Sequence, residues 1–306
     1  MQSQSTQKVK TFSIGFKEEG YNEAVYAKKI AQHLGTDHTE LYVPSDIARE
    51  VIPNIPKLYD EPFADSSQIP TFLLAQLARQ HVTVSLSGDA GDELFGGYNR
   101  YQMTASMWGK LDLLPRSFRK VIAKGIEAIP PQAWNNLCEY IPGYNRFVNI
   151  GDKWHKGAGV MASRSIDELY LRLVSLFPDP ETLVLGGREP DTLMTGNKPD
   201  LTGLSDVESM MALDLLTYLP DDILVKLDRA AMGVSLETRV PFLDHRIVEF
   251  AWTLPQSVKI RNGEMKWPLN QILYRYFPRE LIDRPKMGFG IPIHDLLPGP
   301  LKEWAE

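Results

Sequence analysis

The alternation of polar and apolar residues in Thr11-Phe12-Ser13-Ile14-Gly15-Phe16 predicts a short strand that ends near Gly20. Asn22 is placed to cap a helix in which Ala24, Ala27, Ala31 and Leu34 recur at helical spacing. Gly35 stands where a left-handed residue closes such a helix. Residues 39–43 read as a second strand, and Ser45 and Asp46 offer caps for a helix over 47–51 that Pro53 and Pro56 interrupt. A third helix is expected over 70–80 and another strand over 81–86. Strand, helix, strand, helix and strand in this order predict a parallel sheet with right-handed crossovers, which takes ligands beyond the carboxyl ends of its strands. From Tyr101 the Val/Ile/Thr alternation fades, and segments rich in Leu, Ala, Trp and Met predict helices. The expected organisation is a single α/β domain with a nucleotide-binding part over 8–100 and a mainly helical part over 101–306. Residues 151–159 and 186–199 read as flexible loops, and no internal repeat is visible.

Composition narrows the partners. With 306 residues, 43% of them hydrophobic, the chain can bury the core of one large domain or two smaller ones. Its 39 acidic residues against 33 basic ones give a net charge of −6, and no Lys/Arg-rich block interrupts the sequence. Nucleic acid and anionic membranes are therefore not expected as partners. Cys138 is the only cysteine, so neither a disulfide within the chain nor a thiolate metal cluster can form, which fits a cytoplasmic setting. The first dozen residues lack the apolar run of a secretory signal, and no later stretch has the apolar length of a membrane span. Both ends look cut: Met1 leads almost at once into a strand, and Glu306 stops inside a helix-like pattern, so a fragment is expected.

The candidate chemistry lies after the third strand, in Ser85-Leu86-Ser87-Gly88-Asp89-Ala90-Gly91-Asp92-Glu93-Leu94-Phe95-Gly96-Gly97-Tyr98. Small residues at Ser87, Gly88, Ala90 and Gly91 let backbone N–H groups converge, as a phosphate-cradling loop requires. Asp89, Asp92 and Glu93 beside a polyanion would repel it unless a divalent cation lay between them, which points to Mg²⁺ with nucleotide phosphates. From the residues alone, an Asx-rich turn with a solvated acidic face is an equal reading. His33, His38, His81 and His245 show no HxxxH or HxH spacing, so a zinc site is not expected. Trp108, Met211 and Trp252 sit in apolar helical patterns and read as core.

The run from Ser87 to Tyr98 resembles the SGxGxDExFGGY signature of the asparagine synthetase family. Further segments are similar in the same order: Asp60-Glu61-Pro62-Phe63-Ala64-Asp65-Ser66-Ser67; Tyr218-Leu219-Pro220-Asp221-Asp222 through Lys226 and Asp228-Arg229; and Ser235-Leu236-Glu237-Thr238-Arg239-Val240-Pro241-Phe242-Leu243-Asp244. Gly263-Glu264-Met265-Lys266-Trp267 and Arg284-Pro285-Lys286-Met287-Gly288-Phe289 complete a likeness that runs from Phe12 to Pro292. The resemblance implies an α/β fold of the adenine nucleotide α-hydrolase-like (PP-loop ATPase) kind, with ATP and Mg²⁺ as cofactors. It implies ATP-dependent amidation of a carboxylate through an acyl-adenylate, aspartate becoming asparagine with release of AMP and pyrophosphate. Its implied partners are aspartate, ATP and ammonia from glutamine, a glutaminase domain normally in the same chain, and a second copy in a homodimer.

Carried over by position, Asp92 is similar to the family's magnesium-ligating aspartate, Ser87 and Gly88 to residues lining the nucleotide, and Ile14 to the apolar residue against the adenine. Asp89 stands where many members have a longer Glu that handles the proton of the attacking ammonia. Lys266 matches the lysine that neutralises charge during adenylation and amide formation. Asp65 and Ser66 fall in the substrate-side loop, and Asp228, Arg229, Glu237 and Arg239 in the longest signature, so all six are expected at the substrate. Two family features are missing: the SGGxDSS pyrophosphate loop, which the resemblance puts on a strand before Phe12, and a nucleophilic cysteine after Met1, where Gln2 stands. Relatives resembling β-lactam synthetases or lasso-peptide cyclases use an internal amine instead of ammonia, and an inactive binding domain is a third reading. Bland alternatives stand beside these roles. A lone Lys266 reads as a surface lysine, and the Gly-Glu-Met-Lys-Trp match moves it to a functional role. Asp222 and Lys226 read as a helix-surface pair worth some tenths of a kcal/mol, and Glu237 with Arg239 equally as a buried ion pair or a substrate contact.

Overall fold

The computed structural model describes residues 1–16, 22–44, 47, 50–138, 150–177 and 180–283. Ser45, Asp46, the 284–289 motif and the C-terminal residues lie outside the described residues. The principal elements in chain order are β1 (Lys10–Phe16), α1 (Ala24–Leu34), β2 (Asp37–Val43), α2 (Gln68–Arg79), β3 (Val84–Leu86) and α3 (Gly91–Phe95). They continue as α4 (Asn99–Leu111), α5 (Arg116–Glu127), α6 (Pro131–Cys138), α7 (Ile150–Met161), α8 (Ile166–Val174) and α9 (Asp206–Leu216). The last are α10 (Val225–Met232), β4 (Glu237–Arg239), α11 (His245–Thr253) and α12 (Trp267–Leu273). The chain forms two compact units, Met1–Phe95 with Thr217–Glu306, and Gly96–Leu216. The sequence division at residue 100 is therefore cut differently: the chain returns to the first unit after residue 216, a path that leaves no mark in the hydrophobic pattern.

In the first unit β1 pairs in parallel with β2, Thr11 opposite His38, and β3 pairs in parallel with β4, Val84 opposite Glu237. Period-two alternation sends Thr11 and Ser13 to one face of β1. There they meet the two ring nitrogens of His38, at 2.9 and 3.1 Å. Ile14, Val43, Val51, Ile69 and Leu73 form one core cluster, and Ala75, Ala78, Ala231 and Leu236 another, so α2 contributes to both. A side chain at Gly15 would bring its Cβ to 2.8 Å from Ala24 Cβ and from Asn22 Oδ1, so α1 approaches β1 as closely as glycine allows. Gly35 ends α1 with φ 69°, donating back to Ala31 and Gln32. Its N-cap is Glu23, however, and Asn22 does not cap the helix with its side chain. A cavity of about 510 Å³ lies between β1 and β3, walled by Val9, Phe12, Val84 and Leu86 over Ala75 and Ala231.

Local chemistry explains where the elements depart from the pattern. The strand expected over 81–86 shrinks to Val84–Leu86 because the amides of His81 and Val82 both turn back to the Ala78 carbonyl, at 2.9 Å. The α-helical residues Glu50 and Val51 end just ahead of Pro53 and Pro56, as expected. The two prolines open one-turn helices at Ile52–Asn54 and Ile55–Leu58, in positions where a missing N–H costs no hydrogen bond.

The second unit is helical. The loop expected over 151–159 is instead part of α7. Its glycine content misleads, since a Cβ at Gly151 would fall 2.0 Å from the Pro131 carbonyl oxygen: this glycine serves close helix packing, not flexibility. Residues 186–199 form irregular turns, as expected. Met211 is fully buried and Trp108 is half-buried beneath the Arg119 cation, while in the first unit Trp252 is half-buried beneath the Lys259 cation. At the centre of this unit the Asp214 carboxylate, 2% exposed, accepts from Arg100 at 2.6 Å, Tyr101 at 2.7 Å and Tyr170 at 2.6 Å. Among the described residues no helix is long and apolar enough to cross a membrane.

Candidate active site

The acidic turn is held by the β3–β4 pair. Ser87 N–H donates to the Arg239 carbonyl at 2.9 Å, which continues the ladder one residue past β3 and fixes where the turn begins. The Ser87 hydroxyl then donates to the Asp89 carboxylate. Ala90 adopts φ 67°, a left-handed conformation that costs a non-glycine residue about 1–2 kcal/mol and that reverses the chain into α3. At Gly88 a Cβ would meet no atom within 4 Å, so open space lies in front of the turn. At Gly91 it would meet the Phe242 ring at 3.3 Å, so α3 is seated against the segment after β4. The acidic trio is split by this geometry: Asp92 keeps 25% of its side chain exposed and Asp89 is half-buried, while Glu93 turns into the interior at 1% exposure.

Lys266 reaches this turn from the other end of the sequence. Arg261 and Glu264 close a tight reversal through Asn262 (φ 53°) and Gly263 (φ 82°). The Glu264 carboxylate then accepts from Asn270 at 3.0 Å and Tyr274 at 3.3 Å, tying the reversal to α12. Lys266, the N-cap of α12, is itself left-handed at φ 51°. Strain at such a position persists only where its surroundings over-determine it. The consequence is directional: its ammonium lies 3.0 Å from Asp92 Oδ1, with side chains 33% and 25% exposed. Among the described residues no group of three or more His, Cys, Asp or Glu is arranged to hold a metal by protein atoms alone.

The remaining candidates lie on β1, β4, α10 and the 60–67 segment. Ile14 is 5% exposed within the core cluster of β1, β2 and α2. Glu237 and Arg239 do pair, at 2.6 Å, but at 55% and 65% exposure the pair is a solvated one of small energetic weight, not a buried one. The contribution of Arg239 to the turn runs through its backbone carbonyl. Asp228 is exposed, and Arg229 pairs with Asp60 at 2.6 Å. Asp65 accepts from Lys226 at 2.5 Å and from the Ser67 amide and hydroxyl at 2.8 Å. Burial alone would raise its carboxyl, but the Lys226 ammonium and the Ser67 donors hold it below the ordinary carboxylate range.

Sequence reasoning missed the partner of Lys226. The Asp222/Lys226 spacing suggests a pair one α-turn apart, but Leu219–Leu224 is a π-helix, whose wider turn breaks that register. Nearby, burial first and then the charges of Asp65 and Asp222 push the Tyr59 phenol up to about 12. A pKa raised on folding means the neutral phenol stabilises the fold below about pH 10 and that this contribution is lost as the pH climbs through about 12. Tyrosinate absorbance during alkaline titration is expected to lose one transition near pH 12 in Tyr59→Phe. An unchanged curve would show that Tyr59 ionises elsewhere.

Parallel strands delivering a glycine- and aspartate-rich turn, with a lysine converging on it, make this an α/β protein, and the family match gives it the PP-loop ATPase fold. The asparagine synthase family model matches residues 1–306, and the chain belongs to that family. It is 35% identical over 301 residues to a Mycobacterium tuberculosis protein provisionally named asparagine synthetase (glutamine-hydrolysing), covering 96% of this chain and 43% of that one. Against Bacillus subtilis asparagine synthetase (glutamine-hydrolysing) 1 it is 31% identical over 302 residues, covering 97% of this chain and 44% of the relative. Bacillus subtilis asparagine synthetase (glutamine-hydrolysing) 3 is 23% identical over 286 residues, covering 93% and 39%. The chain thus spans less than half the length of these relatives.

Proposed function

We propose that the chain carries the ATP-dependent amidating part of an asparagine synthetase, converting aspartate to asparagine through an acyl-adenylate. The observation that carries this reading is the 3.0 Å approach of Lys266 to Asp92 beside the open face of Gly88. The substrate carboxylate attacks the α-phosphorus of ATP and pyrophosphate leaves; ammonia then attacks the acyl carbon and AMP leaves. Negative charge grows on phosphoryl oxygen in the first step and on the carbonyl oxygen in the second. A fixed ammonium such as Lys266 stabilises both. Asp89, held by the Ser87 hydroxyl, accepts the proton that ammonia sheds as the C–N bond forms.

A magnesium ion fits this donor set in one way: Mg²⁺ takes one or two carboxylates and completes its shell with phosphate oxygens and water, so Asp92 would hold it without a protein cage. When bound, it supplies charge neutralisation at the phosphates. Ammonia derived from glutamine, on a glutaminase domain, accords with the names of the longer relatives.

A second reading, a nucleotide site without turnover in these 306 residues, is favoured by the cavity of about 510 Å³ between β1 and β3. It separates the β1–β2 pair from the β3–β4 pair, and it leaves Val84 and Leu86 38% and 48% exposed. Calorimetric titration with Mg-ATP, followed by product analysis with aspartate and ammonia, separates the readings. Asparagine, AMP and pyrophosphate in equal amounts support the synthetase; weak binding without product supports the second reading. An internally cyclised product from a substrate carrying its own amine would favour chemistry like that of β-lactam synthetases or peptide cyclases, and no Mg-ATP binding would overturn every nucleotide reading.

A further inference from the structure

We infer that Lys226 is a positioning residue for the amidation, acting through Asp65 to hold the 60–67 loop, and that Asp65 is its anchor and not a substrate ligand. The inference rests on the proposed function for its substrate and on geometry for its mechanism. The loop is pinned to one face of α10 at two points spaced i,i+3, Lys226 to Asp65 at 2.5 Å and Arg229 to Asp60 at 2.6 Å. The two pins differ in weight. Asp60 and Arg229 are 80% and 47% exposed, a geometry in which ion pairs contribute little. Asp65 and Lys226 are only 22% and 15% exposed, and losing one partner there strands a largely desolvated charge.

Both oxygens of Asp65 are already engaged. Oδ1 accepts from the Ser67 amide, the Ser67 hydroxyl bridges to both oxygens, and Oδ2 takes the lysine. The carboxylate is thereby turned toward its own loop. The Tyr59 hydroxyl donates to the Lys226 carbonyl at 3.4 Å, the Tyr59 ring stacks on Phe63 at 4.8 Å, and Gln68 donates to the Phe63 carbonyl at 2.9 Å. The loop is thus fastened on either side of Ser66, whose half-buried hydroxyl makes no hydrogen bond within the described residues. Ser66 is the loop's substrate-facing candidate, and Lys226 sets its position.

The test compares Lys226→Met, Lys226→Arg, Asp65→Asn and the exchange Lys226→Asp with Asp65→Lys, reading KM for aspartate and for ATP separately and amide hydrogen exchange across 60–67. Lys226→Met is expected to raise the aspartate KM about tenfold or more, because a loop displaced by an ångström loses alignment, while the ATP KM stays within about threefold. Arg at 226, or the exchanged pair, is expected to recover most of the loss. Equal rises in both KM values, no recovery with Arg, or an Asp65→Asn defect larger than that of Lys226→Met without faster loop exchange would overturn the inference. Should the wild-type protein form no asparagine, the proposed function fails alone. The clamp is then judged by exchange: faster exchange confined to 60–67 in Lys226→Met supports it, and unchanged exchange overturns it.

Discussion

Lys266→Ala is expected to abolish ATP–pyrophosphate exchange, a loss of about a hundred- to a thousandfold or more, while leaving the fold intact. The asymmetry follows from where the lysine sits. Its partner Asp92 is 3.0 Å away, and the two side chains are 33% and 25% exposed, so the pair is worth about 0–1 kcal/mol to stability. The same ammonium opposite a developing phosphoryl oxyanion, in a site from which nucleotide excludes water, does far more. Thermal unfolding of the variant measured beside the exchange assay separates the two effects. Lys266→Arg keeps the charge but not the point geometry, and partial exchange is expected from it. Undiminished exchange in Lys266→Ala would remove this residue from the chemistry, and with it the main support for a synthetase site at the acidic turn.

Asp214→Ala is expected to be among the most destabilising substitutions in the second unit, by about 3–5 kcal/mol, because it leaves the Arg100 guanidinium without its carboxylate. It also leaves two phenols, those of Tyr101 and Tyr170, without the acceptor they share. Burial is the largest cause pushing both phenols up, and it persists when the Asp214 charge is removed, so neither ionises to compensate at neutral pH. Urea denaturation monitored by circular dichroism measures the loss; a change below about 1 kcal/mol would mean that water or rearranged side chains satisfy the hub. Asp214→Asn keeps an acceptor for the tyrosines and is expected to cost less.

Much of the first unit was legible without coordinates, because the signals are local. The alternation around Ile14, the Ala24/Ala27/Ala31 spacing and Gly35 predict β1 and α1, and the structure has them within a residue or two. The glycine content of 151–159 failed as a loop signal because glycine marks close packing as readily as flexibility, and Gly151 does the former. The acidic turn was legible as a motif, yet the inward rotation of Glu93 was not, since the pattern gives residue types and not which way a five-residue helix faces.

The sequence by itself determined the α/β character of the chain and the family it belongs to, both of which depend on residues close together along the chain or on long matched runs. Only the tertiary structure decided that Lys266 meets Asp92, that Lys226 leaves its apparent helical partner for Asp65, and that residues 217–306 return to the first unit. The reason is physical. A contact between distant residues depends on the path of every element between them, and a single charged side chain carries no periodicity that announces its partner.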